Sequence, residues 1–371
     1  MRIAYVSLSY VPSRRASSVH VMKMCQALTR AGSQVTLITK KSLLREEAGV
    51  ADDFAFYGIE LRFEIVKLPR PAVRGGGLVF QAAVTRFLKR HRGEIDLVYA
   101  REAGGAIAAT RLDLPLIFEA HAPPTGREVP RFRRIVRHSG LIRIVVISAA
   151  LRDRLLTDGL IPENVQVLVA PDAADPLGAV CEADAPIASG KACYGYIGQL
   201  YPGKAMELLV PLAEAMPDAE FDVVGGSRKD LNRFRAIELP PNLRLHGFVP
   251  HGELASWYRR FDAVLLPSQR EVYGASGRSA IGEFMSPMKL FEYMAAGRPI
   301  VSSDLPVLRE VLRHGENSLL VDPQKPDEWR RALELLAAET DMARDLAATA
   351  RRVFLANYTW DARVERVLPG I

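Results

Sequence analysis

Residues 1–39, MRIAYVSLSYVPSRRASSVHVMKMCQALTRAGSQVTLIT, give the clearest indication of the architecture of this chain. A short apolar run at residues 2–9 precedes an amphipathic segment at residues 18–30, and a second apolar run follows Gly32 at residues 35–39. Short runs rich in Val and Ile that alternate with longer helical segments are typical of parallel strands joined by crossover helices. The opening of the chain therefore predicts a strand–helix–strand unit.

The same alternation continues along the chain and is interrupted once. Further strands are predicted in the first half at residues 61–68, 96–100, 114–119, 143–147 and 165–170. Residues 175–192 are rich in Ala, Pro, Asp and Gly and have no periodicity, which indicates a linker. Beyond it the sequence predicts strands at residues 193–197, 220–224, 243–246, 263–266 and 299–302, with helices between them. From Asp327 onward it predicts helices and no strand.

The pattern predicts an α/β fold with two Rossmann-like domains whose parallel sheets face each other across a cleft. A chain of 371 residues is too long for one ordinary hydrophobic core and fits two domains. We place an N-terminal domain at residues 1–178, a C-terminal domain at residues 179–350 and a C-terminal helix at residues 351–371. Since open parallel sheets bind ligands outside the carboxyl ends of their strands, the cleft is the expected site.

Composition excludes several classes of protein. Hydrophobic residues make up 49% and charged residues 25% of the chain, which excludes a disordered, collagen-like or coiled-coil protein. The cysteines, Cys25, Cys181 and Cys193, are widely spaced and form no CxxC pair, so neither a zinc site nor a disulfide framework is indicated. No apolar run approaches the ~20 residues of a spanning helix. The N-terminal apolar run precedes its arginines, the reverse of a signal peptide, so we predict a cytoplasmic protein.

The net charge of +6 is unevenly distributed, with +9 in residues 1–180 and −3 in residues 181–371. Arginine outnumbers lysine 39 to 10, so each lysine is notable. Two basic segments, residues 87–92 and 129–143, suggest contact with an anionic membrane, at the inner face of the cytoplasmic membrane, or with a lipid-diphosphate acceptor. The alternative is an Arg-rich solvated face.

The segment SPMKLFEYMAAGRPIVSSD, residues 286–304, contains the first candidate site. Ser286 can cap a helix whose first residue is Pro287, which places Lys289 in the first turn. A cation there opposes the helix dipole unless an anion lies between it and the free N–H groups, as in phosphate sites. Glu292, three residues on, can accept hydrogen bonds from vicinal hydroxyls, and a phosphate beside a diol outlines a nucleotide sugar. The alternative is a surface Lys289–Glu292 ion pair.

Three more segments follow predicted strands. In YGYIGQLYPGKAMELL, residues 194–209, a loop containing Gly198 leads to Lys204 just before a helix, which suits a phosphate or, alternatively, an ordinary turn. His121 follows the strand at residues 114–119 and is either a site residue or structural. Phe248 and Val249 follow Gly247 and form either an apolar slot for a base or a plain loop.

These segments, in this order, resemble the retaining GT-B glycosyltransferases, specifically glycosyltransferase family four, over essentially the whole chain. The resemblance is completed by further degenerate motifs at familiar spacings, namely FDVVGG (221–226), LRLHGFVP (243–250), FDAVLLPS (261–268), NSLLVDP (317–323) and YTWDAR (358–363). It implies a GT-B fold in which the C-terminal helices cross back to the first domain. It also implies sugar transfer, with retention, from a nucleotide-diphosphate sugar to a glycan, lipid-linked or small-molecule acceptor.

The resemblance assigns roles to individual residues. The catalytic group would be His121 at the donor sugar, with Lys204 and Lys289 at the diphosphate. Residues that bind the donor, including Glu292 at the ribose and the Phe248 backbone at the base, would be Gly198, Gln199, Phe248, Val249, Ser286, Pro287 and Glu292. On the acceptor side, we expect Arg14, Arg15, Ser17, Ser18 and His20.

The sequence departs from the family pattern at three single positions and in one loop, since PSRRASSVH (residues 12–20) replaces the glycine-rich loop after the first strand. The first of two usual glutamates falls on Phe284, the usual Gly-Arg is Gly198–Gln199, and the usual Lys-Gly is Lys204–Ala205. A branch of the family with an SPxK motif is the better comparison, and there Lys289 would replace the lost cation. No Asp-x-Asp pair on a loop would hold Mg²⁺, so we predict no metal. We also expect no cofactor and no nucleic-acid partner.

Three alternatives remain to be weighed against a glycosyltransferase. A catalytically degenerate GT-B protein acting as a binding or scaffold subunit would explain the three departures. A GT-B sugar epimerase would share the fold. A nicotinamide oxidoreductase would need GxGxxG after the first strand, where the chain has SYVPSRRAS (residues 9–17).

Overall fold

The computed structural model describes residues 1–41, 46–71, 75–177, 190–236, 238–272 and 282–370. These residues divide by their contacts into unit 1, Met1–Pro171 with Trp360–Ile371, and unit 2, Asp172–Thr359. The chain enters unit 2 a few residues before the sequence-based boundary at 178/179, and it returns to unit 1 after the boundary at 350/351. Residues 178–189 of the predicted linker, with Cys181, lie outside the described residues.

Unit 1 contains a parallel sheet of seven strands in the order β3-β2-β1-β4-β5-β6-β7. The strands are β1 (Arg2–Val6), β2 (Gln34–Lys41), β3 (Glu64–Pro69), β4 (Leu97–Ala100), β5 (Leu116–Ala120), β6 (Leu141–Val146) and β7 (Val167–Val169). The helices are α1 (Ala16–Arg30), α2 (Asp53–Phe56), α3 (Gly76–Arg90), α4 (Ala103–Leu112), α5 (Glu128–Val136), α6 (Ala149–Thr157) and the last helix of the chain, α13 (Trp360–Val367). Helix α13 packs against α1.

Local chemistry explains where these elements begin and end. Strand β1 stops at Val6, three residues before the predicted end, because the Ser7 hydroxyl accepts the Ser9 N–H and takes it out of the ladder. The side chain of Glu102 accepts the N–H groups of Gly104 and Gly105 and so caps α4. This cap begins a helix directly after β4, at the carboxyl end of the sheet.

Unit 2 repeats the arrangement with six parallel strands in the order β10-β9-β8-β11-β12-β13. The strands are β8 (Cys193–Ile197), β9 (Glu220–Val224), β10 (Leu243–Gly247), β11 (Ala263–Leu266), β12 (Ile300–Ser303) and β13 (Leu319–Val321). The helices are α7 (Met206–Ala215), α8 (Arg228–Arg235), α9 (Leu254–Arg260), α10 (Met288–Ala296), α11 (Pro326–Ala338) and α12 (Thr340–Asn357). The sequence did not predict β13, which is only three residues long.

Both sheets place their first strand beside their fourth, which positions the candidate sites. In unit 1, Ile3 of β1 pairs with Leu97 of β4, and in unit 2, Tyr194 of β8 pairs with Ala263 of β11. The order of strands reverses at these points, so the connections after them diverge and leave a crevice at the carboxyl ends. Each unit therefore has its own candidate site at the carboxyl edge of its sheet. Within the described residues, the longest apolar helices fall short of what is needed to cross a bilayer.

Candidate active site

The end of β8 in unit 2 comes very close to the side chain of Lys289. Gly198 has φ +156°, and its N–H donates to the Val224 carbonyl at 2.8 Å. A Cβ atom at Gly198 would lie 2.5 Å from Lys289 Nζ, closer than any real contact. A side chain at residue 198 would displace this ammonium, and glycine leaves room for it in its present position.

Lys289 is held in place by a tyrosine from β8. Its Nζ lies 3.9 Å from the centroid of the Tyr196 ring and donates a hydrogen bond to the Tyr196 hydroxyl. That hydroxyl donates in turn to the Gln199 carbonyl at 2.7 Å. On the same helix as Lys289, the Tyr293 hydroxyl accepts the Ile197 N–H at 2.9 Å. Helix α10 and the end of β8 are thus fastened together around the lysine.

The electrostatics of this corner favour an anion. Burial, with the nearby charge of Lys204, lowers the pKa of Lys289 well below its usual range, against an opposing effect of Glu292. Burial also lowers the pKa of Lys204. Across the part of the chain that the structure describes, no carboxylate lies within 4.0 Å of Lys289 Nζ or Lys204 Nζ. Two partly buried ammonium groups that repel each other would be stabilised by a phosphate.

Helix α10 begins one residue later than the sequence predicts. Its first residue is Met288 and Pro287 occupies the capping position, so the prediction that Ser286 caps the helix and Pro287 opens it was wrong. The Ser286 hydroxyl instead accepts the Asp172 N–H at 2.8 Å, which draws it away from the helix. Among the residues that the structure describes, no side chain caps α10, which leaves its first N–H groups suited to an anion.

The remaining donor-side residues lie around the same edge of the sheet. Glu292 lies one turn into α10, and His251 Nε2 lies 4.0 Å from its carboxylate. Phe248, 37% exposed, follows the end of β10, where the Gly247 carbonyl accepts the Gly225 N–H at 2.6 Å. Val249 is half-buried beside it. The structure describes each position, and their roles toward ribose and base remain predictions.

In unit 1, the predicted His121 belongs to a buried ionic cluster centred on Glu119 at the end of β5. Its Nε2 lies 2.6 Å from Glu119 Oε1, and Arg101 Nη2 lies 3.2 Å from its Nδ1. The other carboxylate oxygen of Glu119 is 3.1 Å from Arg363 Nη2 on α13 and accepts a hydrogen bond from Tyr99. His20 of α1 completes the cluster, with Nε2 3.2 Å from Glu119 Oε1.

The contacts determine the protonation state of His121. Because the Arg101 guanidinium can only donate, Nδ1 of His121 accepts, and the proton resides on Nε2, which donates to Glu119. Burial and the charge of Arg101 lower the pKa of His121 to about 4. His121 is therefore a neutral imidazole at neutral pH.

The histidines and the glutamate of this cluster are residue types that bind metals, but two arginines beside them oppose a bound cation. Ligand atoms of His20, Glu119 and His121 lie within 4.8 Å of one another. Arg363 at 3.1 Å and Arg101 at 3.5 Å already neutralise the carboxylate, and a divalent cation would face both guanidinium groups. A metal would have to displace these pairs, so the cluster is better described as a hydrogen-bonded ionic network.

The residues predicted for the acceptor side fall into two sets. Ser18 and His20 are fully buried on the inner side of α1. Arg14 is exposed and pairs with Glu47 at 2.6 Å, and Arg15 lies 5.7 Å from the centroid of the Tyr10 ring. Ser17 is half-buried between the two sets. Direct contact with an acceptor therefore suits Arg14, Arg15 and Ser17 better than the buried pair.

Sequence reasoning missed the residues that hold these groups, which are Tyr196, Arg101, Glu119 and Arg363. A signal existed for Glu119, since it interrupts the apolar run LIFEA of a buried strand. A second existed for Arg363, which belongs to the quoted YTWDAR motif and is 2% exposed. Tyr196 carried no signal, because aromatic residues are common in buried strands.

Two family models match the chain. The model described as Glycosyltransferase Family 4 covers residues 17–169, and the model described as Glycosyl transferases group 1 covers residues 192–339. A D-inositol 3-phosphate glycosyltransferase of Jonesia denitrificans is 25% identical over 93% of this chain and 88% of its own length. A phosphatidyl-myo-inositol mannosyltransferase of Mycobacterium tuberculosis is also 25% identical, over 94% of this chain and 90% of its own.

Solved structures agree with the fold. The sucrose-phosphate synthase of Thermosynechococcus elongatus superposes with a TM-score of 0.72 at 18% identity, covering 98% of this chain and 96% of its own. The Anabaena protein HepE in complex with UDP gives 0.71 at 16% identity, covering 99% and 98%. The predicted fold of two Rossmann-like α/β domains of the GT-B type is confirmed.

These matches define the class of protein. Both models describe glycosyltransferases, and each falls on one of the two units. The chain belongs to the family 4, group 1 glycosyltransferases and is a glycosyltransferase, as the resemblance implied.

Proposed function

We propose that this glycosyltransferase binds a nucleotide-diphosphate sugar at the carboxyl edge of the sheet in unit 2. The observation that carries the proposal is the pair Lys204 and Lys289, two partly buried cations beside the uncapped start of α10. Glu292 accepts hydrogen bonds from the ribose hydroxyls, and the base lies against Phe248 and Val249. HepE, which shares the fold, was crystallised in complex with UDP, and this supports a donor of the same chemical class.

The chemistry of the proposed step follows from charge. When the bond between the sugar and the diphosphate breaks, negative charge builds up on the leaving phosphate. Cations and helix N–H groups that already point at this position stabilise the charge without reorganisation. Two lysines and the N-terminus of α10 supply that stabilisation from the protein, so we propose transfer that does not depend on a metal and that follows the family pattern of retention.

For the acceptor we propose a polyol phosphate, free or linked to a lipid. The supporting observation is that the Jonesia relative is named for inositol 3-phosphate and the Mycobacterium relative for phosphatidyl-myo-inositol. The exposed Arg14 and Arg15 at the start of α1 are suited to an anionic acceptor of this kind. Both arginines lie in the segment between β1 and α1, which leaves the sheet of unit 1 at its carboxyl edge.

We predict that one nucleoside diphosphate stabilises the protein selectively. In a thermal-shift panel of UDP, GDP, ADP and CMP, a diphosphate whose base fits beside Phe248 will raise Tm, and CMP, with one phosphate, will raise it much less. At a ligand concentration 100 times Kd, the stabilisation is about 2.7 kcal/mol. Equal shifts with all four nucleotides, or none, would contradict a donor site built on two lysines.

The same panel addresses the second candidate function, a binding or scaffold subunit. Phe284, Gln199 and Ala205, which depart from the family pattern, favour this candidate. If the selected nucleotide binds but its sugar donors release no nucleoside diphosphate with any polyol phosphate tested, the scaffold function is preferred. Turnover with one donor excludes it.

We also propose that helix α5 binds anionic lipid at the cytoplasmic side of a membrane. Its buried face, Phe132, Ile135 and Val136, packs on unit 1, while its other face is basic. Three arginines of this region, Arg133, Arg134 and Arg137, line a surface cavity of about 730 Å³ and make no ion pair within the residues described here. Unpaired surface arginines attract anionic headgroups by about 1 kcal/mol each.

We predict that the protein binds, through unit 1, to vesicles that contain phosphatidylglycerol but not to vesicles of phosphatidylcholine alone. The triple variant Arg133→Ser, Arg134→Ser, Arg137→Ser should bind on the order of 100-fold more weakly in a co-sedimentation assay, given about 1 kcal/mol per arginine. The matched control is Arg152→Ser with Arg154→Ser on α6, where both arginines are paired with aspartates. Binding that ignores lipid charge would remove this proposal.

A further inference from the structure

The environment of Lys289 has a consequence for how a donor binds. Lys289 Nζ lies on the face of the Tyr196 ring and close to Gly198, and the side chain as a whole is half-buried. Every hydrogen bond that Nζ makes within the described residues goes to one neutral acceptor, the Tyr196 hydroxyl. A lysine ammonium has three donors, so two of them have no protein partner there.

Among the described residues, the groups that face Lys289 include neutral, positive and negative side chains. From β8 comes Tyr196, and from the loop before α7 comes the cation Lys204. From its own helix come the acid Glu292, beyond ion-pair distance, and Tyr293, whose hydroxyl bonds to the backbone of Ile197. Burial and Lys204 together outweigh Glu292, so the pKa of Lys289 falls well below its usual range in the empty site.

We propose that Lys289 is a proton-coupled phosphate ligand, which is fully protonated only when the diphosphate of the donor is bound, so that donor binding takes up a proton from solvent. This inference rests on the proposed donor site and adds a regulation to it. A diphosphate beside Nζ places at least two negative charges against the ammonium, which reverses the effect of Lys204. Tyr196 acts as a positioning residue, since its hydroxyl and ring keep the lysine at the phosphate position.

The sign of the pH dependence follows from the linkage. Between the lowered pKa of the free site and the raised pKa of the complex, binding consumes one proton, so affinity falls as pH rises. In that window, the dissociation constant of a nucleoside diphosphate should increase by a factor approaching tenfold per pH unit. Below it, affinity should be independent of pH as far as Lys289 is concerned.

The test is calorimetric titration of the diphosphate with the largest thermal shift, UDP, GDP or ADP, at alkaline pH in buffers of different ionisation enthalpy. A phosphate group has its last pKa at about 6, so the phosphates of the nucleotide are fully deprotonated at pH 8.5–9. The dependence of binding enthalpy on buffer enthalpy gives the number of protons taken up. We expect net proton uptake by the wild-type protein, up to one proton per nucleotide bound.

The variant Lys289→Arg isolates the residue, because a guanidinium stays charged at every accessible pH. It should bind the nucleotide with much less proton uptake and a weaker pH dependence of affinity, whereas Lys204→Arg should keep most of the uptake. Binding by the wild-type protein without proton uptake, or undiminished uptake in Lys289→Arg, would overturn the inference and leave the proposed donor site intact. Failure of all three diphosphates to bind would overturn both.

Discussion

Replacing Lys289 or Lys204 by methionine is expected to lower kcat/KM for the nucleotide-sugar donor by about 10²–10³ in each case, the cost of removing one preorganised group from a developing oxyanion. Both cations lie beside the uncapped start of α10, where the leaving diphosphate is proposed to accumulate charge. The measurement is release of nucleoside diphosphate from the selected donor with a polyol phosphate acceptor.

Loss of activity in these variants should not come from unfolding. Because burial lowers the pKa of both lysines, their charged forms are less favourable in the folded protein than in the unfolded chain. Methionine has a similar length and no charge, so Tm of each variant should equal or exceed that of the wild type. A stabilised but inactive variant would show that the lysines are kept for function.

Lys191→Met is the matched control, since Lys191 lies just before the amino end of β8, at the opposite end of the strand from Gly198. It should keep wild-type kcat/KM. Wild-type rates in both Lys204→Met and Lys289→Met would refute the assignment of the donor site to unit 2.

The second large effect is expected on stability, from Arg363→Met. Arg363 is 2% exposed, lies 3.1 Å from the Glu119 carboxylate and donates to the Pro171 carbonyl at 2.9 Å. Breaking a buried ion pair from one side leaves a buried charge uncompensated, which costs about 3–5 kcal/mol. Denaturant unfolding of the full chain should show this loss in the transition of unit 1.

Two further variants test the cause. Arg30→Met removes an exposed pair with Asp361 on the same helix, α13, and should change stability by no more than about 1 kcal/mol. Adding Glu119→Gln to Arg363→Met removes the orphaned charge and should restore part of the lost free energy. If Arg363→Met and Arg30→Met had equal effects, the buried network would not hold α13 in place.

The network also predicts acid sensitivity. Burial raises the pKa of Glu119, but Arg363 and His20 outweigh it, and the net pKa lies well below the usual range. A carboxyl group whose pKa is lower in the folded protein than in the unfolded chain stabilises the fold at pH values above the unfolded pKa. That contribution is lost as the pH falls through the folded pKa. Without Arg363 the pKa of Glu119 in the folded protein rises. The Arg363→Met variant should therefore lose the stabilising contribution of Glu119 at a higher pH than the wild-type protein.

The sequence predicted the repeated strand–helix pattern well and the site in part. Runs such as LVYA and AVLL are buried on both faces of parallel sheets, and they are identified as short apolar runs that alternate with helical segments. The three-residue strand β13 is too short to show a period, and Pro287 was placed one residue too far into α10 because its preference for the first turn is broad.

Contacts between distant positions were beyond sequence reasoning. Arg363 and Glu119 are 244 residues apart, and only the return of α13 to unit 1 joins them. Lys289 was predicted to bind phosphate from its conflict with the helix dipole, but its contact with Tyr196, 93 residues away, depends on how α10 packs against β8. Propensity and spacing describe local structure, whereas these pairs are set by tertiary packing.

Whether two lysines of unit 2 bind the donor diphosphate is decided by titrating the selected nucleoside diphosphate into the wild-type protein and into the double variant Lys204→Met, Lys289→Met. We expect saturable binding to the wild type and an affinity at least about 100-fold weaker in the double variant, since charge-assisted contacts contribute roughly 1.5–3 kcal/mol each. An unchanged dissociation constant in a folded double variant would show that the diphosphate binds elsewhere.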